Sequence, residues 1–341
     1  MDAAKLRTVL SAHGQPPFRL AQVLKAVCRE GVSSYDGVTT LPAALRRVLE
    51  AEAPLMSARE ERVLVSADGR ARKAVVSLAD GLKVETVLLK PKPGEPWSAC
   101  ISCQVGCAVG CTFCATGLMG LKRDLTPEEI VDQVLFWKQY LRREKVAGRL
   151  TNVVYMGMGE PFHCYEAVAE SLRVLIDPGT MGLSPRNISV STAGLAPGIE
   201  RFGRDFPQVN LALSLHAADD ELRSRLVPVN KAYPLARLAE SLGAYADTTN
   251  RKIFLEYVLL RGENDGPGHA DALARWVASV GRPKLLHVNL IVWNPNDTSH
   301  SPATAARARD FRDRLASAGL HVTIRRNLGV DIQGACGQLI A

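Results

Sequence analysis

The sequence has no apolar run approaching the roughly 18 residues that a membrane-crossing helix requires, so no transmembrane anchor is expected. Its opening residues, MDAAKLRTVLSAHGQ, lack the basic start, apolar stretch and small-residue cleavage site of a secretory signal. The chain is therefore expected to be cytoplasmic. Acidic residues are outnumbered: 35 Asp and Glu against 42 Lys and Arg leave a formal charge of +7 and a pI near 9.0. Such a field suits a polyanionic partner, nucleic acid first, although a solvated basic surface would give the same count. An evenly spaced disulfide framework is also missing. The eight cysteines are bunched instead: Cys100, Cys103, Cys107, Cys111 and Cys114 crowd one short stretch, with Cys28, Cys164 and Cys336 apart. In a reducing compartment this reads as metal or redox chemistry.

A length of 341 residues allows one large domain with a smaller companion. Residues 1–58 carry helical spacing in LRTVL, LAQVLKAV and LPAALRRVLEA, and form a small N-terminal domain. Residues 59–92 change to strand patterns, ERVLVSADGR, KAVVSLADG and KVETVLLK, with Asp-Gly turn signals; PKPGEP (91–96) then reads as a linker. From 93 to 341, strands alternate with helices. The strands are ACISC, 152–159, 187–194, 210–217, 252–260 and 284–294, with HVTIRRN (321–327) as a further one. Thr126-Pro127-Glu128-Glu129 is a capping box with proline at the first helical position. The class is α/β, and about six β/α units in series imply a partial or open α/β barrel.

In such a barrel the working face lies at the C-terminal ends of the strands. Gly159-Glu160-Pro161, Ser191-Thr192, Ser214-Leu215-His216 and Asn294-Pro295 all fall there. One alone would be a turn; several at the same relative position imply a shared pocket. Just after the first barrel strand, Cys107, Cys111 and Cys114 form a CxxxCxxC spacing. Thiolates suit an iron–sulfur cluster or zinc. A closed site takes four protein ligands, so three cysteines leave one iron of a cubane open. An open iron can chelate the amino and carboxylate groups of S-adenosylmethionine and deliver the electron that cleaves its sulfonium. Phe113, between two ligands, would shield the cluster. The rival is a zinc site completed by Cys100 or Cys103. Near the C-terminus Cys336 lies between Gly334 and Gly337, which suggests a flexible, accessible loop able to carry a group on sulfur. A small buried thiol is the plainer reading.

CxxxCxxC leading into an α/β barrel resembles the radical S-adenosylmethionine superfamily. More narrowly, CISCQVGCAVGCTFCATG, MGMGEP, VSTAGL, LSLHAADDELRSRLVPVNKAYPL, HVNLIVWNP and DIQGACGQL resemble the RlmN/Cfr family of RNA methyltransferases over nearly the whole chain. The resemblance implies a [4Fe-4S] cluster on Cys107, Cys111 and Cys114. It implies two S-adenosylmethionine molecules per turnover, contacted by Gly159, Glu160, Ser191, Ser214, Leu215, His216 and Asn294. The implied target is adenosine 2503 of 23S rRNA at C2, with adenosine 37 of certain tRNAs as a second substrate. Direct transfer to an sp² carbon is not feasible, so Cys336 would take the methyl group first. After a radical generated from the second molecule has joined that carbon to the ring, Glu85 would remove the ring proton. Cys100 would then release the product by forming a disulfide. Glu85 rests on the resemblance alone. A monomer served by an electron donor such as flavodoxin or ferredoxin completes the expectation.

The chain departs from the family pattern at Gln333 and Gly334, where an acidic residue and alanine are usual, and at Cys103, where serine or threonine is common. PKPGEPWSACIS and LSPRNISVST stand closer to Cfr, which would methylate C8; the wider occurrence of the C2 reaction favours C2. Rivals of other classes are a non-catalytic RNA-binding protein with structural zinc or cluster, and a radical enzyme acting on a small molecule. Arg46-Arg47, Arg142-Arg143 and Arg325-Arg326 are candidate phosphate grips. Cys28 and Cys164 are expected to be structural.

Overall fold

The computed structural model describes residues 1–340. Three short helices come first: α1 (Ala3–Ala12), α2 (Phe18–Leu24) and α3 (Ala43–Glu52). A meander follows, β1 (Ala58–Val65), β2 (Ala71–Leu78) and β3 (Lys83–Leu89), turning at Gly69 and Gly81 with positive φ as the Asp-Gly signals require. Then come β4 (Trp97–Cys100), β5 (Gln104–Gly106), α4 (Ala115–Leu118), β6 (Leu121–Asp124) and α5 (Pro127–Arg143). The remaining units are β7 (Leu150–Tyr155), α6 (Tyr165–Ile176), β8 (Ile188–Thr192), α7 (Ala196–Asp205), β9 (Asn210–Ser214), α8 (Asp220–Leu226) and α9 (Leu235–Thr249). Last are β10 (Ile253–Leu259), α10 (Pro267–Ser279), β11 (Leu286–Val292), α11 (Ala305–Ser317) and β12 (His321–Ile324).

The main sheet runs β1-β2-β3-β4-β7-β8-β9-β10-β11-β12. From β4 to β12 every neighbour is parallel; β1 to β4 are antiparallel. This is the open α/β barrel the alternation implies, with β12 as a seventh parallel strand at one edge. The expected strands are right in place but overrun at their C-terminal ends. The observed strands stop at Tyr155, Thr192, Ser214 and Val292. The residues beyond are loops, turned by Gly159 (φ +105°), Gly194 (φ +110°) and His216 (φ +61°). Residues 91–96 connect the adjacent strands β3 and β4. The β5–β6 ribbon, which the sequence reading did not anticipate, pairs antiparallel and brackets the cysteine loop.

α5 is the seam of the molecule. Thr126 and Glu129 form the expected capping box. Along α5, Lys138 donates to Cys28 O, Gln139 to Val32 O (3.1 Å) and Arg142 to Glu30 O (2.7 Å), tying down the N-terminal helices. Asp132 accepts from Ser57 N (2.6 Å) and pairs with the N-terminal amine. Trp137, fully buried, donates from Nε1 to Thr86 Oγ1 (3.0 Å), and Thr86 donates to Cys100 O (2.8 Å). One hydrophobic core consequently runs from Leu6 and Val27 through Trp137 to Leu255 and Phe311. Truncating Trp137 to alanine is expected to cost about 3–5 kcal/mol through the cavity left behind. Trp137→Phe, losing chiefly the hydrogen bond, should cost about 1 kcal/mol. Urea unfolding midpoints of the two variants check the ordering.

Candidate active site

The strand-end loops enclose a cavity of about 500 Å³. Cys107, Cys111 and Cys114 line it, together with Gly159, Glu160, Ser191, Ser214, His216, Asn294, Cys100 and Cys336. Eleven of the thirteen expected site residues therefore meet in one space. Leu215 is fully buried in the core, and only its backbone serves the site: its N–H donates to Glu256 O (3.0 Å) and its carbonyl accepts from Arg223 Nε (3.0 Å). Glu85 is also buried outside the cavity.

The cysteine loop leaves β5 and returns along β6. Gly106 is obligatory at the ribbon's end: its φ is +83°, and a Cβ there would lie 1.9 Å from Gly120 O. The three thiols pack against Val109, Phe113, Ala217, Leu222, Leu226, Val258 and Trp293. Burial pushes all three thiols up, Cys107 to about 12. Such thiols become thiolates when a cation is bound, which fits a metal-ligating role. A cubane takes each thiolate on a different iron, so this spacing suits a cluster.

Glu160 is held by its surroundings. Its Oε1 accepts from Phe162 N (3.0 Å) and Oε2 from Ala193 N (2.6 Å), while its own N–H donates to Gln104 Oε1 (2.8 Å). Burial raises its carboxyl to about 6. Gly159 is required by packing, because a Cβ would lie 2.7 Å from Gln104 Cβ and 2.9 Å from Cys103 Sγ. Ser191 and Ser214 hydroxyls face each other at 3.2 Å. Asn294 donates from Nδ2 to Cys336 O (3.0 Å), yet its Oδ1 is buried without a partner. An orphaned acceptor in the same cavity as two serine hydroxyls fits a ligand rich in hydroxyl and amino donors, as an adenosine moiety is.

The terminal loop is accessible but pinned, which corrects the expectation of flexibility. Gly337 O accepts from Ala115 N (2.9 Å) and from Asn296 Nδ2 (2.8 Å), and Asn296 also donates to Phe113 O (3.1 Å). Thr116 Oγ1 donates to Leu339 O (2.7 Å). Asp331 accepts from Ala67 N (2.8 Å), fastening the loop to the β1–β2 turn. Gly337 is needed for its φ of +83°; at Gly334 an added Cβ would make only ordinary contacts from 3.5 Å outward. Gln333 adopts φ +51°, an uncommon conformation for a residue with a side chain. Cys336 is exposed to the cavity mouth, with protein on its other sides pushing its thiol up; Cys100 is raised to about 12 by burial. All eight cysteines are free thiols. Cys28 and Cys164 are buried in the core, in keeping with a structural role.

Several functional groups carried no local sequence signal. Arg223, fully buried, binds Leu215 O, Ala193 O (2.6 Å) and Asn230 Oδ1 (2.8 Å), and so fixes two strand-end loops at once. Asn296 was hidden in a loop. Among the basic pairs, Arg46, Arg142 and Arg143 are engaged within the protein, by Asp36 O, Glu30 O and Glu60. Arg325 is a cavity residue, paired with Glu256 at 3.1 Å.

A family model described as the radical SAM superfamily matches residues 101–274. A probable dual-specificity RNA methyltransferase RlmN from Chloroflexus aurantiacus is 42% identical, over 99% of this chain and 91% of that protein. The dual-specificity RNA methyltransferase RlmN of Sorangium cellulosum is also 42% identical, over 97% and 92%. The chain belongs to the RlmN family of the radical SAM superfamily. The crystal structure of a radical SAM methyltransferase from Sphaerobacter thermophilus superposes with a TM-score of 0.92 at 42% identity, covering 99% of this chain and 97% of that one. Superfamily membership implies a 4Fe-4S cluster and S-adenosylmethionine, and the residues described above fit both.

His216 gives the site a measurable acid dependence. Its Nδ1 accepts from Val258 N (3.0 Å), its ring meets Phe113 edge-on at 4.7 Å, and burial lowers it from 6.5 to about 3. The unfolded chain therefore binds this proton more readily. The stability contributed is complete above pH 6.5 and is lost as pH falls toward 3. His216→Gln should flatten the fall in unfolding free energy between pH 6.5 and 4.5 relative to the unsubstituted protein, as read by urea titrations at fixed pH.

Proposed function

We propose that this chain is a radical RNA methyltransferase that methylates C2 of adenosine 2503 in 23S rRNA, and adenosine 37 of tRNA, through a methylated Cys336. The observation carrying this reading is that Cys336 and Cys100 line the same cavity as the three-cysteine loop. The relatives' description as dual-specificity RNA methyltransferases supports it.

When bound, a [4Fe-4S] cluster and two S-adenosylmethionine molecules supply an electron, a methyl group and the radical that activates it. Cys107, Cys111 and Cys114 hold the cluster. Glu160, Ser191, Ser214, His216 and Asn294 orient S-adenosylmethionine, and Phe113 with its apolar neighbours excludes water. Cys336 accepts the methyl group on sulfur as a nucleophile. Cys100 afterwards takes over that sulfur as a disulfide and frees the base. Glu85 is the proton acceptor in this scheme. Both its oxygens are engaged, Oε1 with Lys73 Nζ (2.9 Å) and Oε2 with Ile340 N (2.9 Å), and burial raises its carboxyl. Leu339 lines the cavity and Ile340 caps Glu85. This terminal segment therefore has to shift for Glu85 to reach a bound base.

Residues 1–58 form an accessory RNA-binding domain in this reading, 59–92 the sheet extension and 93–341 the catalytic core. The target base must leave its stack to enter the cavity, so a looped or single-stranded RNA segment is the substrate form. An electron donor such as flavodoxin or ferredoxin reduces the cluster.

Cys336→Ala is expected to abolish RNA methylation while leaving S-adenosylmethionine cleavage measurable. Cys100→Ala should accumulate a covalent protein–RNA adduct, visible as a slow-migrating band. Product formation by Cys100→Ala without any adduct would remove Cys100 from its role. Mass spectrometry of rRNA from cells with and without the gene separates 2-methyladenosine from 8-methyladenosine. Anaerobic purification should return about four irons per chain for a single cubane.

A further inference from the structure

An ion pair with no part in methyl transfer also lines the cavity. Glu256, on β10, is almost fully buried, while Arg325, just beyond β12, is about one-third exposed and reaches into the cavity. Arg325 Nη1 donates to Glu256 Oε2 (3.1 Å), and Asn289 Nδ2 donates to Oε1 (2.9 Å). The backbone of Arg325 is fixed by its N–H to Leu290 O (2.8 Å). Its Nε and Nη2 make no hydrogen bond among the described residues. The pair therefore offers a rigid donor beside a braced acceptor, in the cavity that also holds Cys336 and Cys100.

A guanidinium already neutralised by a carboxylate is a poor phosphate site, because Glu256 would repel the anion. It is well matched to a group presenting an acceptor next to a donor. Adenine has two such edges: N7 beside the 6-amine, and N1 beside the same amine. The free carboxylate lone pairs accept from the amine, and the guanidinium donates to the ring nitrogen. Gripping the N7 edge turns C2 outward to the far side of the ring; gripping the N1 edge turns C8 outward.

We propose that the Arg325–Glu256 pair is the reader that holds the target adenine by its N7/6-amine edge and so presents C2 to Cys336. This rests on the proposed RNA methylation and adds the residues that choose the base and the carbon. Both are specificity-determining groups, distinct from those that carry the methyl group.

The test uses cluster-loaded enzyme and an RNA oligonucleotide with adenosine, 7-deazaadenosine or purine riboside at the target position. In the unsubstituted enzyme each analogue, lacking one hydrogen-bonding group, should lower kcat/KM by about tenfold. In Arg325→Met, which keeps an unbranched stem but has no N–H donor, the 7-deaza penalty should vanish relative to that variant's own rate on adenosine. In Glu256→Gln the penalty for loss of the amine should shrink likewise, as two ends of one contact do in a thermodynamic cycle. Arg325→Lys keeps charge but not the planar fork, and should retain only part of the 7-deaza penalty. If Arg325→Met does not fold, the Glu256→Gln and Arg325→Lys arms decide. Undiminished penalties in the variants, or none in the unsubstituted enzyme, overturn the inference. No methylation of the plain adenosine RNA would instead overturn the proposed function.

Discussion

The site depends on one hydrogen-bonded seam, where the loop bearing Cys336 is sewn to the loop bearing Cys107, Cys111 and Cys114. Asn296 bridges Phe113 O and Gly337 O, Ala115 N reaches Gly337 O, and Thr116 reaches Leu339 O. Each bond satisfies a backbone group that a buried loop would otherwise leave unpaired. Without the seam Cys336 has no fixed place relative to residues 107–114. With it, the Cys336 thiol, the three-cysteine loop and Asn294, with its orphaned Oδ1, share one cavity.

That cavity exists because the sheet is open. Seven parallel strands from β4 to β12 stop short of closure, and the antiparallel meander extends the β4 edge. A closed barrel fills its centre with side chains; here the centre holds strand-end loops and a space able to admit a nucleotide. α5 keeps the β4 edge rigid by locking Trp137 to Thr86 and Cys100, so the Cys100 thiol sits on a strand rather than a loop.

Two ion pairs divide the polar work. Lys73–Glu85 is buried outside the cavity and capped by Ile340, whereas Arg325–Glu256 stands inside it with guanidinium N–H groups unspent. A buried carboxylate without its partner would carry a heavy desolvation cost, which explains why both glutamates are braced twice.

Much of the site was legible in the chain. CxxxCxxC is a local spacing, and local spacing is enough to put three side chains on one loop; that Cys107, Cys111 and Cys114 share a cavity could therefore be expected from sequence. Gly159-Glu160, Ser191, Ser214, His216 and Asn294 were legible because each interrupts an apolar strand at the same relative point. The alternation of strands and helices dictated an open α/β barrel. Other features had no local signature. Arg325 read as half of a basic pair, since nothing near it in sequence announces Glu256, and Leu215 looked like a contact until its side chain was found in the core. Glycines around Cys336 suggested freedom, but Asn294, Asn296 and Ala115 hold that loop through backbone groups that sequence does not display. The sequence by itself determined the candidate ligands, the open α/β barrel and the family, because these follow from short-range spacing and motifs. Only the tertiary structure decided that Glu85 is capped, that Arg325 is paired, and that Cys336 is pinned beside the cluster loop, because those depend on contacts between residues distant in the chain.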